Sequence, residues 1–174
     1  MVRKAKYDIA GLAAVALLTL FDQWTKHLAV VYLKDQDPIV LWKGVFELHY
    51  LENKGAAFGI LQGQRWVFLL CSAIIMVFIV YFYTRLPSGG RFLPLRATAV
   101  LIAAGAAGNL IDRLANAYVV DFLYFKLIDF PVFNVADCYV TVGAVMLGVL
   151  IVFVYKEGEL EIFSRKKHAA GNKN

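Results

Sequence analysis

Two aspartates, Asp121 and Asp137, are the residues of this sequence best suited to chemistry. Asp121 lies in Tyr118-Val119-Val120-Asp121-Phe122, and Asp137 ends the segment Phe133-Asn134-Val135-Ala136-Asp137. Two close carboxylates in an apolar site cannot both ionise, so they share one proton. The charged member can then act as general base on a water molecule while the neutral member polarises a carbonyl group. If the two segments meet, the sequence predicts amide hydrolysis by a pair of aspartates.

Each aspartate also has a structural interpretation. Asn134 is a good helix N-cap, and Asp137 would then be the third helical residue, where the helix dipole and the free backbone N–H groups favour a carboxylate. A continuous helix through Asn109 would turn Asp121 by roughly 120° from Asn109. Either the helix breaks before Asp121 or these two polar groups face different partners, and the sequence leaves both possibilities open.

The other polar candidates cluster near the ends of apolar stretches. Ionisable residues inside a membrane are costly and are functional candidates by default. Asn109, Asp112 and Arg113 share one helical face, and they follow a run of small residues at 103–108 that lets another helix approach closely. A packing seam with a structural ion pair between Asp112 and Arg113 would also explain this pattern. The full set comprises Asp22, Lys26, Asn109, Asp112, Arg113, Asp121, Asn134 and Asp137.

The sequence lacks the residue patterns that other catalytic mechanisms need. The serines Ser72, Ser88 and Ser164 are placed where none can meet a lysine at the end of the molecule that holds the aspartates. The three histidines form no H-E-x-x-H motif, and no phosphate-binding glycine loop is present. We therefore expect no metal ion and no cofactor.

The composition predicts a membrane protein. Of the 174 residues, 60% are hydrophobic and 18% charged, which is too apolar for an ordinary soluble domain. A bilayer-spanning helix needs roughly 20 mostly apolar residues, and four stretches approach that length, at about 9–33, 66–83, 95–114 and 135–155. We predict an α-helical membrane protein with four transmembrane helices in a single integral membrane domain over 1–174.

The basic residues predict the orientation. The two termini and the loop between the second and third stretches hold 11 of the 18 Lys and Arg residues, so both termini, including the tail 156–174, should face the cytoplasm. Segments 34–65 and 115–134 should then face outward. Within them, Ile39–Leu41 and Val45–Leu51 are β-prone and bounded by turn signals. They predict a small sheet on the outer membrane surface.

Five polar motifs occur in order across residues 22–137. They are Asp22-Gln23-Trp24-Thr25-Lys26, Asn53-Lys54-Gly55-Ala56-Ala57-Phe58, Gly105-Ala106-Ala107-Gly108-Asn109-Leu110-Ile111-Asp112-Arg113, Val119-Val120-Asp121-Phe122 and Phe133-Asn134-Val135-Ala136-Asp137. Each motif is weak alone, but the set is highly specific. Together they resemble the signal peptidase II family, the bacterial lipoprotein signal peptidases, and no polar motif position departs from the family pattern.

The resemblance implies a metal-free aspartyl endopeptidase of the bacterial inner membrane. It would act as a monomer among membrane lipids, without nucleic acid, and remove signal peptides from diacylglyceryl-modified prolipoproteins, cutting just before the lipidated cysteine. The family's catalytic pair maps onto Asp121 and Asp137. Its other polar site residues, which orient the pair or contact substrate, map onto Asp22, Asn53, Asn109, Arg113 and Asn134, with supporting roles for Lys26 and Asp112. The implied fold has four transmembrane helices, an outer β-cradle and a short surface helix.

Two other classes remain as alternatives. A small four-helix transporter would use buried acids for ion coupling, but it needs an ionisable residue near the bilayer midplane. Here the second and fourth stretches lack one, and Asp22 is the only deep candidate. A non-catalytic membrane assembly subunit would use the same acids only to cap helices and to form ion pairs.

Overall fold

The computed structural model describes residues 2–55 and 64–160. The described elements are five α-helices and three β-strands, with 3-10 turns at Gly90–Phe92 and Lys126–Ile128 and a π turn at Leu150–Val154. In chain order they are α1 (Val2–Leu33), β1 (Ile39–Trp42), β2 (Phe46–Asn53), α2 (Arg65–Arg85), α3 (Leu93–Asn116), β3 (Val119–Phe125), α4 (Val135–Val149) and α5 (Glu157–Leu160).

Three of the described helical segments are long and apolar enough to cross a membrane. They are Arg65–Arg85, Gly90–Asn116 and Val135–Val154, and α2 has no buried residue at all, as expected for a helix that faces lipid. The chain is therefore a multi-pass membrane protein. The 32 residues of α1 would extend about 48 Å, but α1 does not belong to this group. The fourth span and the inward orientation of both termini stay predictions.

Helix α3 is the centre of the bundle, since α1, α2 and α4 all pack against it. Its small residues allow this close approach. A side chain at Gly105 would collide with the backbone oxygen of Ala136 and with Val140, and one at Gly108 would collide with the Asp22 carboxylate. The packing seam predicted from the small-residue run is confirmed.

The three strands form one antiparallel sheet in the order β1–β2–β3, at the end of the bundle where α4 begins. We call this end the sheet end. The sequence predicted β1 and β2 but not β3. Helix α3 ends at Asn116, and the left-handed backbone of Ala117 (φ 66°) turns the chain into β3. Asp121 therefore lies on a strand opposite Leu51, and the question of a helix break before Asp121 is answered.

The connection from β3 to α4 is tied to the sheet. The Phe133 carbonyl oxygen accepts hydrogen bonds from the N–H groups of Phe122 and Leu123, at 2.9 and 2.8 Å, and the Phe133 N–H donates to Leu123 at 3.0 Å. This tie brings the start of α4 close to the middle of β3. The sequence segments that carry Asp121 and Asp137 are thus joined by backbone hydrogen bonds.

The predicted short surface helix has only a partial counterpart. Within the described parts of segments 34–65 and 115–134, the helical structure apart from the start of α2 and the end of α3 is the 3-10 turn Lys126–Ile128. The stretch 56–63 between β2 and α2 lies outside the described residues, as do the tail residues beyond 160.

The close contact at Gly105 generates a stability prediction. Gly105→Ala should lower the free energy of unfolding by about 1–3 kcal/mol, because the added methyl group overpacks the contact between α3 and α4. Gly148→Ala is the matched control: Gly148 lies in α4 with open space around it, so alanine should be neutral or stabilising there by up to about 1 kcal/mol. Thermal unfolding in detergent measures both, and equal effects would contradict the packing argument.

Candidate active site

The predicted site residues come together in one polar network at the sheet end. Helices α1, α3 and α4 contribute most of its residues. Asn53 is the last residue of β2, and Asp121 lies in β3. The network is deeply buried: Asp22 and Asn134 have no exposed surface, and Asp121 is 2% exposed. Because a buried polar group is costly unless it is hydrogen-bonded, this concentration demands a dense set of contacts.

Three asparagine side chains hold the two aspartates. Asn134 Nδ2 donates to Asp121 Oδ1 at 2.6 Å, and Asn53 Nδ2 donates to Asp121 Oδ2 at 2.8 Å. Asn109 Nδ2 donates to Asp137 Oδ1 at 2.8 Å. Asn134 Nδ2 also lies 3.2 Å from Asn109 Oδ1, so a continuous chain of amides connects one carboxylate to the other.

The orientation of each amide is determined by a group that can only donate. The ammonium of Lys26 lies 2.9 Å from Asn109 Oδ1. The backbone N–H of Gly55 donates to Asn53 Oδ1 at 2.9 Å, and that of Asp137 donates to Asn134 Oδ1 at 3.0 Å. An amide whose oxygen is taken by a donor must present its NH₂ to the other side. All three asparagines therefore aim their NH₂ groups at the aspartates.

The predicted capping role of Asn134 and Asp137 is confirmed. Asn134 is the N-cap of α4, and its side chain and that of Asp137 form a reciprocal capping box, in which the Asn134 N–H donates to Asp137 Oδ2 at 3.1 Å. This arrangement locks the Asp137 side chain at the start of the helix while leaving it in the network. The structural role thus positions the carboxylate as well as capping α4.

The predicted ion pair between Asp112 and Arg113 is wrong. Asp112 pairs with Lys26 at 3.1 Å, whereas the Arg113 guanidinium lies over the Phe68 ring at 4.6 Å and donates to the Gly55 carbonyl oxygen at 3.4 Å. Consecutive residues of a helix point in different directions, which is why neighbours in sequence do not pair here.

A large cleft opens beside the two aspartates. Its volume is about 680 Å³, and both carboxylates and the Arg113 guanidinium lie in its lining. Aromatic rings form much of its wall: the Phe125 and Phe133 rings stack at 5.6 Å, and Phe130 meets Phe133 edge-on at 5.7 Å. An apolar cleft with a few convergent polar groups is typical of a binding site.

Burial raises the pKa of the Asp121 carboxyl to about 7. The amide of Asn53 opposes this rise in pKa by donating to the ionised form, and the nearby charge of Asp137 adds to the rise. At neutral pH, Asp121 is therefore divided between its protonated and ionised forms. A carboxyl near its pKa at working pH is suited to proton transfer.

Sequence reasoning missed Gln23. Its Nε2 lies 2.9 Å from Asp112 Oδ1 and 3.2 Å from the Gly108 carbonyl oxygen, so it ties α1 to α3 beside the network. An uncharged polar residue between Asp22 and Lys26 in an apolar stretch was the available signal. The absence of a metal stays a prediction, although residues 2–55 and 64–160 contain no group of three or more His, Cys, Asp and Glu side chains able to hold one.

The membrane helices, the buried carboxylates and the adjoining cleft define the class of multi-pass membrane enzymes. The family model of signal peptidase II matches residues 14–153, so the chain belongs to the signal peptidase II family. Members of this family remove signal peptides from prolipoproteins, and the transporter interpretation finds no support among the similar proteins.

Similar proteins cover most of the chain. The lipoprotein signal peptidase of Caldanaerobacter subterraneus is 41% identical over 144 residues, which make up 82% of this chain and 96% of the relative. That of Brevibacillus brevis is 42% identical, over 83% of this chain and 93% of the relative. A solved bacterial membrane enzyme with 30% identity superposes with a TM-score of 0.73 over 91% of this chain and 92% of its own.

The amide chain generates a prediction for Asn134. Serine also caps helices well, so Asn134→Ser should keep α4 capped, but its short side chain cannot reach Asp121. We expect signal peptide removal to fall by at least about 30-fold, since the charged hydrogen bond that is lost is worth about 2 kcal/mol. Asn116→Ser, at an exposed position near the end of α3, is the control. Full activity of Asn134→Ser, which lacks the hydrogen bond to Asp121, would show that the amide is dispensable.

Proposed function

We propose that this protein is an aspartic endopeptidase of the bacterial inner membrane. It removes the signal peptide from diacylglyceryl-modified prolipoproteins by cutting just before the lipidated cysteine. The observation that carries the proposal is the pair of buried aspartates, Asp121 and Asp137, linked through the Asn134 side chain and open to one cleft. Family membership supplies the reaction, and the pair supplies the chemistry.

The two aspartates have different roles in the proposed reaction. Asp121 holds the shared proton, consistent with its pKa of about 7, and gives it to the carbonyl oxygen of the scissile amide. Asp137 lies in the first turn of α4, where the helix dipole favours the carboxylate, and takes a proton from the attacking water. The water oxygen bonds to the carbonyl carbon, which becomes tetrahedral.

Collapse of the tetrahedral intermediate completes the cycle. Asp137 returns its proton to the amide nitrogen, the bond between carbon and nitrogen breaks, and Asp121 recovers its proton from the hydroxyl group as the new carboxyl forms. No group other than water is consumed. The asparagines hold both carboxylates in place throughout, so little reorganisation is needed when charge moves.

The position of the site fits a substrate anchored in lipid. A diacylglyceryl cysteine stays in the leaflet, so its scissile bond lies close to the membrane interface. The polar network is at the sheet end of the helices, and an apolar cluster of Leu86, Leu95, Leu150 and Tyr155 lies at the opposite end. The excess of basic residues at that opposite end favours placing it in the cytoplasm, with the cleft facing the outer leaflet.

The remaining polar residues have proposed roles around the pair. The Arg113 guanidinium, held over Phe68, has donors left to bind a substrate carbonyl oxygen in the cleft. Asn53, at the end of β2, can position both Asp121 and the peptide. The protein would work as a monomer with membrane lipid around it and without cofactor or nucleic acid.

A cleavage assay tests the proposed function. Purified protein should shorten a lipidated prolipoprotein, with a mass showing cleavage just before the modified cysteine, and should leave the unlipidated precursor intact. Asp121→Asn and Asp137→Asn should each reduce the rate by at least about 1,000-fold, because an amide can neither hold nor transfer the shared proton. Asp35→Asn, an exposed acid beyond α1, should cut normally.

Thermal unfolding of the same variants separates chemistry from folding. Each Asn variant should stay folded, because asparagine retains the shape of aspartate. Asp121→Asn should melt a few degrees below the parent protein, since its NH₂ group replaces one of the two oxygens that accept hydrogen bonds from Asn53 and Asn134. Cleavage at more than a few per cent of the parent rate by either variant would refute the pair. Equal cleavage of both precursors would refute specificity for the lipidated substrate.

The raised pKa of Asp121 predicts the pH dependence of cleavage. The reaction needs Asp121 protonated, so kcat/KM should fall as the pH rises through about 7. Asn53→Ala removes the hydrogen bond that lowers the pKa of this carboxyl, so the alkaline limb should move to higher pH, by about one unit for one charged hydrogen bond. A limb that stays in place or moves to lower pH would contradict the assignment of the proton to Asp121.

A further inference from the structure

Three buried charged residues lie directly beneath the aspartate pair. The Lys26 ammonium is 2.9 Å from Asp22 Oδ2 and 3.1 Å from Asp112 Oδ2, and the three residues are exposed by 3%, 0% and 3% respectively. We call them the ion triad. Burying three charges costs much of what their attraction returns, so a buried triad is weak evidence for stability. Stability alone therefore does not explain why the ion triad is buried here.

Both carboxylates of the ion triad also accept a hydrogen bond from a backbone N–H group. Asp22 uses the oxygen that does not contact Lys26, whereas Asp112 uses the same oxygen that contacts Lys26. Asp22 Oδ1 accepts a hydrogen bond at 2.8 Å from the N–H of Ala136, which immediately precedes Asp137. Asp112 Oδ2 accepts one at 3.1 Å from the N–H of Val120, which immediately precedes Asp121. Each carboxylate of the ion triad therefore holds the residue next to one member of the pair.

We propose that the ion triad sets the separation of Asp121 and Asp137, with Lys26 joining the two carboxylates that hold their neighbours' backbone N–H groups. Asp22, Lys26 and Asp112 are then positioning residues. They touch no substrate, and they act on the reaction only through the distance between the two carboxyl groups. This inference rests on the proposed function.

Lys26 is suited to this task because all three of its ammonium protons have partners. Two go to the carboxylates of the ion triad, and the third goes to Asn109 Oδ1 at 2.9 Å, whose amide holds Asp137. A compact ammonium presents three donors around one point, whereas a guanidinium is planar and larger. Lys26→Arg should therefore fail to restore the geometry.

The surroundings of the ion triad leave little room for adjustment. Asp22 packs directly against Gly108, where even a methyl group would collide with its carboxylate. Gln23 Nε2 donates to both carboxylates of the ion triad, 3.2 Å from Asp22 Oδ2 and 2.9 Å from Asp112 Oδ1. The charges of the ion triad are thus tightly packed and fully paired. They determine the spacing between β3, which carries Asp121, and α4, which carries Asp137.

Lys26→Met is the direct test, since methionine matches the length of lysine without charge or donors. With lipidated prolipoprotein as substrate, kcat should fall by at least about 100-fold while KM changes by less than about threefold, as for a loss felt only in the transition state. The alkaline limb of kcat/KM should also move to lower pH. A wider pair that admits water weakens burial and the charge of Asp137, the two influences that raise the pKa of Asp121. Loss of the Lys26 charge by itself would raise this pKa, but that charge is a smaller influence than burial, so movement of the limb to higher pH would contradict the inference.

The double variant Lys26→Met/Asp112→Asn keeps the test valid if Lys26→Met does not fold. Of the two carboxylates that lose the ammonium, it neutralises Asp112 while retaining an oxygen for the Val120 N–H. The Asp22 carboxylate keeps its hydrogen bonds from the Ala136 N–H and from Gln23 Nε2, and one hydrogen-bonded carboxylate costs less than two that repel each other. We expect a melting temperature near that of the parent protein, the same loss of kcat and the same shift of the limb. Lys26→Arg should show no recovery of kcat.

Arg96→Met is the matched control. Arg96 is a buried cation, 2% exposed, that lies 3.5 Å from Asp8 at the other end of the bundle. Its loss should lower the melting temperature but leave kcat, KM and the pH limb unchanged. If it moves the limb as much as the Lys26 variants do, the effect is general loosening and the inference is wrong.

The outcomes distinguish this inference from the proposed function. If the parent protein cuts the lipidated precursor and the folded double variant matches its kcat and pH limb, the ion triad does not set the separation, and the proposed function stands. If the parent protein does not cut the lipidated precursor, the proposed function fails first. Recovery of kcat by Lys26→Arg would also overturn the inference.

Discussion

The cost of leaving a charge unpaired in an apolar bundle governs this structure. Lys26 lies where water is excluded, and its ammonium has acceptors for all three protons on Asp22, Asp112 and Asn109. Those acceptors lie on α1 and α3, so satisfying one side chain draws the two helices together. The small residues of α3 then let the backbones approach closely enough for the contacts to form. A single buried cation thus organises the sheet end of the molecule.

The two amides that hold the aspartates are oriented because each one has a donor on its oxygen and a carboxylate at its NH₂ group. Lys26 turns the Asn109 amide toward Asp137, and the start of α4 turns the Asn134 amide toward Asp121. In a bilayer, polar groups must find partners within the protein. Residues that cap a helix or pair with an ion are therefore the same residues that position the carboxylates. The structural and the catalytic interpretations of Asn134 and Asp137 are compatible for this reason.

The sequence predicted what depends on local pattern. The apolar stretches overlap the observed helices, and the turn signals bracket β1 and β2. The polar motif residues do meet in one network. It did not predict β3, whose residues Val119–Phe125 form a near-continuous apolar run around one acid, because such a run has no strand periodicity to read. It also paired Asp112 with its chain neighbour rather than with Lys26, 86 positions away, since partners at that separation depend on how the helices pack.

The placement of one aspartate on a strand and the other at a helix start has a physical consequence. Asp137 is held by its own helix through the capping box, but Asp121 has no such local support and depends on Asn53, Asn134 and the sheet. Asp121 is also the more deeply buried of the two carboxyls, at 2% exposed, and burial raises its pKa to about 7. Any movement of the sheet would therefore change the proton affinity of Asp121 before that of Asp137. The strand and the helix thus give the two carboxyl groups different environments and different proton affinities. Such a difference allows one carboxyl to act as the acid and the other as the base.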